Sequence, residues 1–177
     1  MNLRRKHIMK ISVPLQNGWL PDRYTKHAND SDKIDGRPYV SFPINIEEVP
    51  TNAQSLALVL TDDDAIPVCG FTYIHWVAAN IDPKTTLIPE NASHAELIPM
   101  TYGHNSLAGQ LLDVQDPMVN EHYVGPTPPD KPHDYHLTLY ALDQKLTLKN
   151  GFWLNELEAA STDHVLAEAN AILPVKN

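Results

Sequence analysis

The apolar positions of this chain fall mostly in short runs separated by turns bearing Pro and Asn. Ser55-Leu-Ala-Leu-Val-Leu60 is an unbroken apolar run, short enough for a buried strand and too short for a helix. Residues 71–81 (FTYIHWVAANI) are aromatic and β-branched at their start and are stopped by Asp82-Pro83, which predicts a second strand. From His136 to Leu142 the pattern alternates, with Leu137, Leu139 and Ala141 on one face and Thr138 and Tyr140 on the other. Lys145 to Leu148 predicts a further short strand. Strands joined by Pro-rich loops, without regular intervening helices, predict a mainly β fold, a β-sandwich of two antiparallel sheets.

Helical patterning is confined to the C-terminal end. Asn155 with Glu158 three residues later resembles a capping pair and predicts a short helix over Leu154–Ala160. A second helix is predicted from Asp163 to Ile172, with Val165, Leu166, Ala169 and Ile172 as its stripe and Pro174 as its end. Residues 82–134 are the least regular stretch and hold prolines at 83, 89, 99, 117, 126, 128, 129 and 132. A segment of that kind inside a compact domain usually carries function. No repeat, low-complexity tract or linker divides the chain, so one domain is expected over residues 11–177, behind a loose extension over residues 1–10.

Composition narrows the class. With 177 residues, 42% hydrophobic, the chain builds a real core and is neither disordered nor collagenous. A lone Cys69 makes no internal bridge, which fits a reducing compartment. Lys and Arg number 13 against 22 Asp and Glu, a net charge of −9, so a nucleic acid is excluded as a general partner because its phosphates are bound largely through Lys and Arg. Arg4, Arg5 and Lys6 imitate the start of a signal peptide, but Ser12, Pro14, Gln16 and Asn17 interrupt any apolar region after them. No run of 18 apolar residues is present to span a membrane. The expectation is a cytoplasmic protein, with Met9 a second candidate start and the sequons at Asn29 and Asn91 fortuitous.

Three segments are chemically unusual. Thr61-Asp-Asp-Asp-Ala65 follows a strand directly, and three adjacent carboxylates there make either a solvated turn or a set that orients a histidine or ligand. His75 stands among apolar residues in Tyr73-Ile-His-Trp-Val77, where a bonded core histidine competes with a functional one. Tyr123-Val-Gly-Pro-Thr-Pro-Pro129 leads into His133-Asp-Tyr-His136. Its prolines stiffen a loop suited to presenting backbone N–H groups to an anion, and His133 and Tyr135 share one face of the strand that follows. The nucleophile elbow GxSxG, HExxH, the P-loop, GxGxxG and CxxC are all missing.

Taken together, L-x-L-T-D-x-D-A, H-W-V-x-x-N, Y-x-G-P-x-P-P and H-x-Y-x-x-x-x-Y-A-L-D resemble the phosphatidylethanolamine-binding protein family, in its bacterial Raf-kinase-inhibitor-like branch. Asn17 to Thr25 is similar to the family's opening block, and Glu156 to Ala169, with His164, to its closing helix. The resemblance implies a β-sandwich of two antiparallel sheets with C-terminal helices and a small surface pocket for phosphate, acetate or a phospholipid headgroup. Carried over, the pocket consists of Asp62 and Asp64, His75, the loop Pro126, Thr127 and Pro128 with Pro129, and His133 and Tyr135.

Several positions depart from the family pattern. Asp63 replaces a proline, Ile66 is inserted before Pro67, and Asp134 replaces the Arg of an H-R-Y triplet. An anion in place of a cation beside the pocket is expected to weaken anion binding. The function implied is binding of a small anion or phospholipid headgroup, with regulation or inhibition of a kinase or protease as a broad possibility and no cofactor, metal or enzymatic activity. The alternative is a metal-dependent hydrolase in which His75, His133 and Asp62 activate water, although their spacing matches no zinc motif.

Overall fold

A computed structural model describes residues 8–177. Its first half contains strands β1 (Lys10–Ser12), β2 (Lys33–Ile34), β3 (Arg37–Pro38), β4 (Ile44–Glu47) and β5 (Ser55–Asp62), then the one-turn helix α1 (Ile66–Cys69), β6 (Tyr73–Ile81) and β7 (Leu87–Ile88). The second half contains β8 (Thr101–Gly103), α2 (Pro117–Asn120), β9 (His133–Leu142), α3 (Leu154–Ser161) and β10 (Val165–Val175). Every ladder between these strands is antiparallel, in a five-stranded sheet ordered β10-β9-β5-β6-β8, a three-stranded sheet ordered β1-β4-β7 and the pair β2-β3.

β5 is apolar at consecutive positions because it lies at the centre of the larger sheet and is covered on both faces. Leu56, Leu58 and Leu60 join the main core with Ile44 and Ile46 of the smaller sheet, Trp76 and Ala78 of β6, and Leu137 and Leu139 of β9. Ala57 and Val59 face the other way, with Val77 and Ala79, onto Leu146, Phe152 and Leu157 of α3. The fold is therefore a sandwich with one helix closing the outer face of its larger sheet. Its strands β5, β6 and β9 lie where the apolar patterning predicts them.

Four expectations are corrected. The second C-terminal helix is the strand β10, eleven residues paired along β9 from Val165↔Leu142 to Val175↔His133. Its inward positions are Ala167, Ala169, Ala171, Leu173 and Val175, a period of two that small alanines hide, while Val165, Ala169 and Ile172 imitate a helical spacing. Lys145–Leu148 forms no strand, because both backbone groups of Leu146 bond to the Asn80 side chain, at 2.8 and 3.0 Å. The helix expected over Leu154–Ala160 is α3, but its capping pair stands two residues earlier than Asn155–Glu158: the Trp153 N–H donates to Glu156 Oε2 at 2.7 Å. Of the expected loose extension, residues 1–7 lie outside the described residues, whereas Met9 is 2% exposed in the core and Lys10 opens β1.

Candidate functional site

Across one end of the larger sheet, register places Tyr73 of β6, Asp62 of β5, Tyr135 of β9 and Leu173 of β10 side by side. Directly beside this rung Leu60 pairs with Trp76 and Thr61 with Ile74, so His75 is the extra residue of a bulge with no partner opposite. The bulge lets His75 and Trp76, neighbours in sequence, both turn inward. His75 is 3% exposed, with its ring 5.0 Å edge-on from Tyr135 and 4.8 Å from Tyr73.

The three adjacent aspartates have separate tasks. Asp62 Oδ1 accepts the Ala65 N–H at 3.1 Å, closing the turn into α1, and Oδ2 lies 2.8 Å from His133 Nδ1. Asp63 accepts from Thr72 Oγ1 at 2.7 Å. Asp64 holds Lys131 Nζ at 3.1 Å and the Asp134 N–H at 3.0 Å. His133 Nε2 lies 2.9 Å from Asp130 Oδ1, so this histidine, 1% exposed, has a carboxylate at each nitrogen. Burial opposes its protonation, but the hydrogen bonds to Asp62 and Asp130 outweigh that cost and raise its pKa above the ordinary imidazole value.

His75 is the electrostatic opposite. Desolvation lowers its pKa to about 4, against a smaller upward pull from its hydrogen bond to Val124. Nδ1 lies 2.8 Å from the Val124 carbonyl oxygen, which only accepts, so the proton of the neutral ring sits on Nδ1 and the lone pair on Nε2. Burial pushes the Tyr73 hydroxyl up to about 12. Burial raises Tyr135 further, helped by the Asp62 carboxylate, while the Thr127 backbone pulls the other way.

The loop after Tyr123 is held from outside the cavity. Val124 N–H donates to the His75 carbonyl at 3.0 Å and Gly125 N–H to the Pro38 carbonyl at 2.8 Å. A Cβ at Gly125 would stand 2.6 Å from the Tyr24 carbonyl oxygen and 2.5 Å from Pro38 Cβ, so only glycine admits this approach. Lys26 then takes the Pro126 carbonyl with its backbone N–H at 2.8 Å and the Pro128 carbonyl with Nζ at 2.7 Å. The expected array of loop N–H groups is not formed, since three of residues 126–129 are prolines and Thr127 alone among them carries an N–H.

These segments enclose a cavity of about 180 Å³ lined by Asp62, Ala65, Val68, Cys69, Tyr73, His75, Thr127, Pro129, His133 and Tyr135. Of the nine residues expected at a pocket, Asp62, His75, Thr127, Pro129, His133 and Tyr135 are brought together there. Asp64, Pro126 and Pro128 are not at the wall; Asp64 fixes the start of β9 and the two prolines present their carbonyls to Lys26. Asp134 alternates with His133 and Tyr135 along β9 and is exposed on the opposite face, so its charge does not enter the cavity. Tyr73 was findable, being two positions before His75 on the same strand face. Asp130 carried no signal, because only loop geometry brings it onto His133. Among the described residues no group of three His, Cys, Asp or Glu side chains is arranged to hold a metal ion.

Residues 10–175 match the family model described as phosphatidylethanolamine-binding protein. The chain is 49% identical over 154 residues to the Bacillus subtilis protein YxkA, covering 87% of this chain and 92% of that one. A UPF0098 protein of Methanothermobacter thermautotrophicus is 36% identical, covering 88% and 89%. The crystal structure described as a putative phosphatidylethanolamine-binding protein homolog, CT736 of Chlamydia trachomatis, has a TM-score of 0.78 at 24% identity, over 97% of this chain and 99% of that one. E. coli YbcL, described as a member of the mammalian family, has a TM-score of 0.74 at 18% identity, over 96% and 98%. Likeness at these identities is likeness of fold.

Proposed function

This chain belongs to the phosphatidylethanolamine-binding protein family, and on that premise we propose that its cavity binds a small anion or a phospholipid headgroup. The observation that carries this reading is the convergence of Asp62, His75, Thr127, His133 and Tyr135, from separated stretches of chain, on one cavity of about 180 Å³. That volume suits a phosphate or headgroup and leaves acyl chains outside. His133, held towards imidazolium by two carboxylates, offsets part of their charge at the wall, and the Tyr73 and Thr127 hydroxyls are available donors.

The same geometry supports binding over catalysis. Among the described residues no histidine is bonded to a nucleophile: both His133 nitrogens face carboxylates, and the Cys69 sulfur lies 3.3 Å from the Ala65 and Phe71 carbonyl oxygens. His133 likewise has no lone pair left for a metal.

The test is an NMR titration of the protein with inorganic phosphate and with phosphoethanolamine. Saturable shifts are expected at the amides of residues 62–65, 73–75 and 127–135. Shifts confined to other parts of the fold, or no saturation, would remove the assignment.

A further inference from the structure

We infer that the cavity selects an oxyanion that still carries a proton, such as a phosphate monoester monoanion, over an oxyanion of equal charge without one, because His75 presents a bare lone pair to the ligand. This deepens the anion-binding reading and rests on it.

Hydrogen bonds already made at the wall fix which nitrogen of His75 faces the cavity. His75 lines the cavity while its Nδ1 turns to Val124, which does not, so the ring edge carrying Nε2 is the one left to the cavity. Among the described residues nothing hydrogen-bonds to that nitrogen, although the side chain is 97% buried by its 3% exposure. Protonating Nε2 would give a cation without contact to any carboxylate, since the neighbouring Asp62 carboxylate is bonded to Ala65 and His133. A neutral ring accepts and does not donate there.

The other groups facing the cavity point the same way. Asp62 is an acceptor, and the His133 N–H groups are committed to Asp62 and Asp130. The Tyr135 hydroxyl stands beside Asp62, an acceptor that competes with a ligand for its proton. Donors left for a ligand are the Tyr73 hydroxyl, which has no hydrogen-bond partner among the described residues, and the Thr127 hydroxyl. An anion with no hydrogen therefore meets two hydroxyls but leaves Nε2 unpaired and desolvated. One that retains an O–H satisfies all three, and its single charge also meets less repulsion from Asp62 than a dianion's would. A buried acceptor left without its donor lowers affinity by about tenfold or more.

Methyl phosphate and methyl sulfate provide the test, as near-isosteric monoanions at pH 5.5 that differ in one O–H. The ester's second pKa of about 6 keeps methyl phosphate mostly protonated there, and His75 stays neutral. Calorimetry is expected to find methyl phosphate bound about tenfold or more tightly than methyl sulfate. Dimethyl phosphate, the diester that a lipid headgroup resembles, is expected to bind as weakly as methyl sulfate. Equal affinities for methyl phosphate and methyl sulfate, or tight binding of the diester, overturn the inference while keeping the anion site. Binding of none of the three overturns the anion site itself. Independently of any ligand, nitrogen-15 shifts of the free protein are expected to show the His75 proton on Nδ1. A proton on Nε2 overturns the inference.

Discussion

At the scale of single residues, the site contains two histidines with opposite protonation, and their difference is one of hydrogen-bond partners. His75 and His133 are both nearly inaccessible, at 3% and 1% exposure, so burial penalises charge on each. Among the described residues His75 has a neutral carbonyl as its only hydrogen-bond partner, and burial wins. His133 has Asp62 on one nitrogen and Asp130 on the other, and the carboxylates win. Replacing Asp62 or Asp130 by Asn is therefore expected to lower the His133 pKa in an NMR titration. Asp62→Asn has the larger effect because Asp62 is buried and Asp130 is half-exposed. An unchanged His133 titration in both variants would show that the carboxylates do not hold its proton.

At the scale of elements, β10 decides how the end of β9 is supported. Leu173 stands opposite Tyr135, buried at 1% exposure, while its neighbour Ile172 is 56% exposed on the other face. A strand turns these neighbours to opposite faces, whereas the expected helical stripe would have buried Ile172. Leu173→Ala is expected to cost about 2–5 kcal/mol in urea denaturation, as large-to-small core substitutions do. Ile172→Ala is expected to stay within about 0.5 kcal/mol. Similar costs for the two would contradict the strand and its register. The same reasoning applies to the bulge in β6: a regular strand would carry either His75 or Trp76 inward, and the extra residue allows both.

At the scale of the whole molecule, buried histidines set the pH range of stability. His75 and His94 both have pKa values lowered to about 4, chiefly by desolvation. Between the ordinary imidazole value and about 4 the unfolded chain binds protons that the folded one refuses, so stability falls as pH drops through that window. His133 has the opposite sign: its contribution is complete below the ordinary imidazole value and is lost as pH rises through its raised folded value. Stability is thus expected to fall on both sides. From pH 6.5 to 4.5 His75 alone accounts for about 2 kcal/mol. Urea midpoints at pH 4.5, 6.5 and 8.5 check this; an acid-side midpoint equal to that at pH 6.5 in the parent, with His75→Leu unchanged too, would falsify the assignment.

What the sequence determined by itself is what depends on local order along the chain. β5, β6 and β9 were legible because a strand's apolar period is written in consecutive residues. His133 and Tyr135 were legible as a same-face pair for the same reason. Family blocks located most of the cavity wall, since their order and spacing survive in the primary structure. Tertiary structure decided the rest. β10 holds three Ala and two Leu, residues that favour a helix locally, and becomes a strand because pairing along β9 and burial of Leu173 and Val175 outweigh propensity. The protonation of His75 and His133 was likewise invisible, because it depends on a carbonyl 49 residues away for one and on a carboxylate 71 residues away for the other. A pKa is set by distance in space, and the sequence records only distance along the chain.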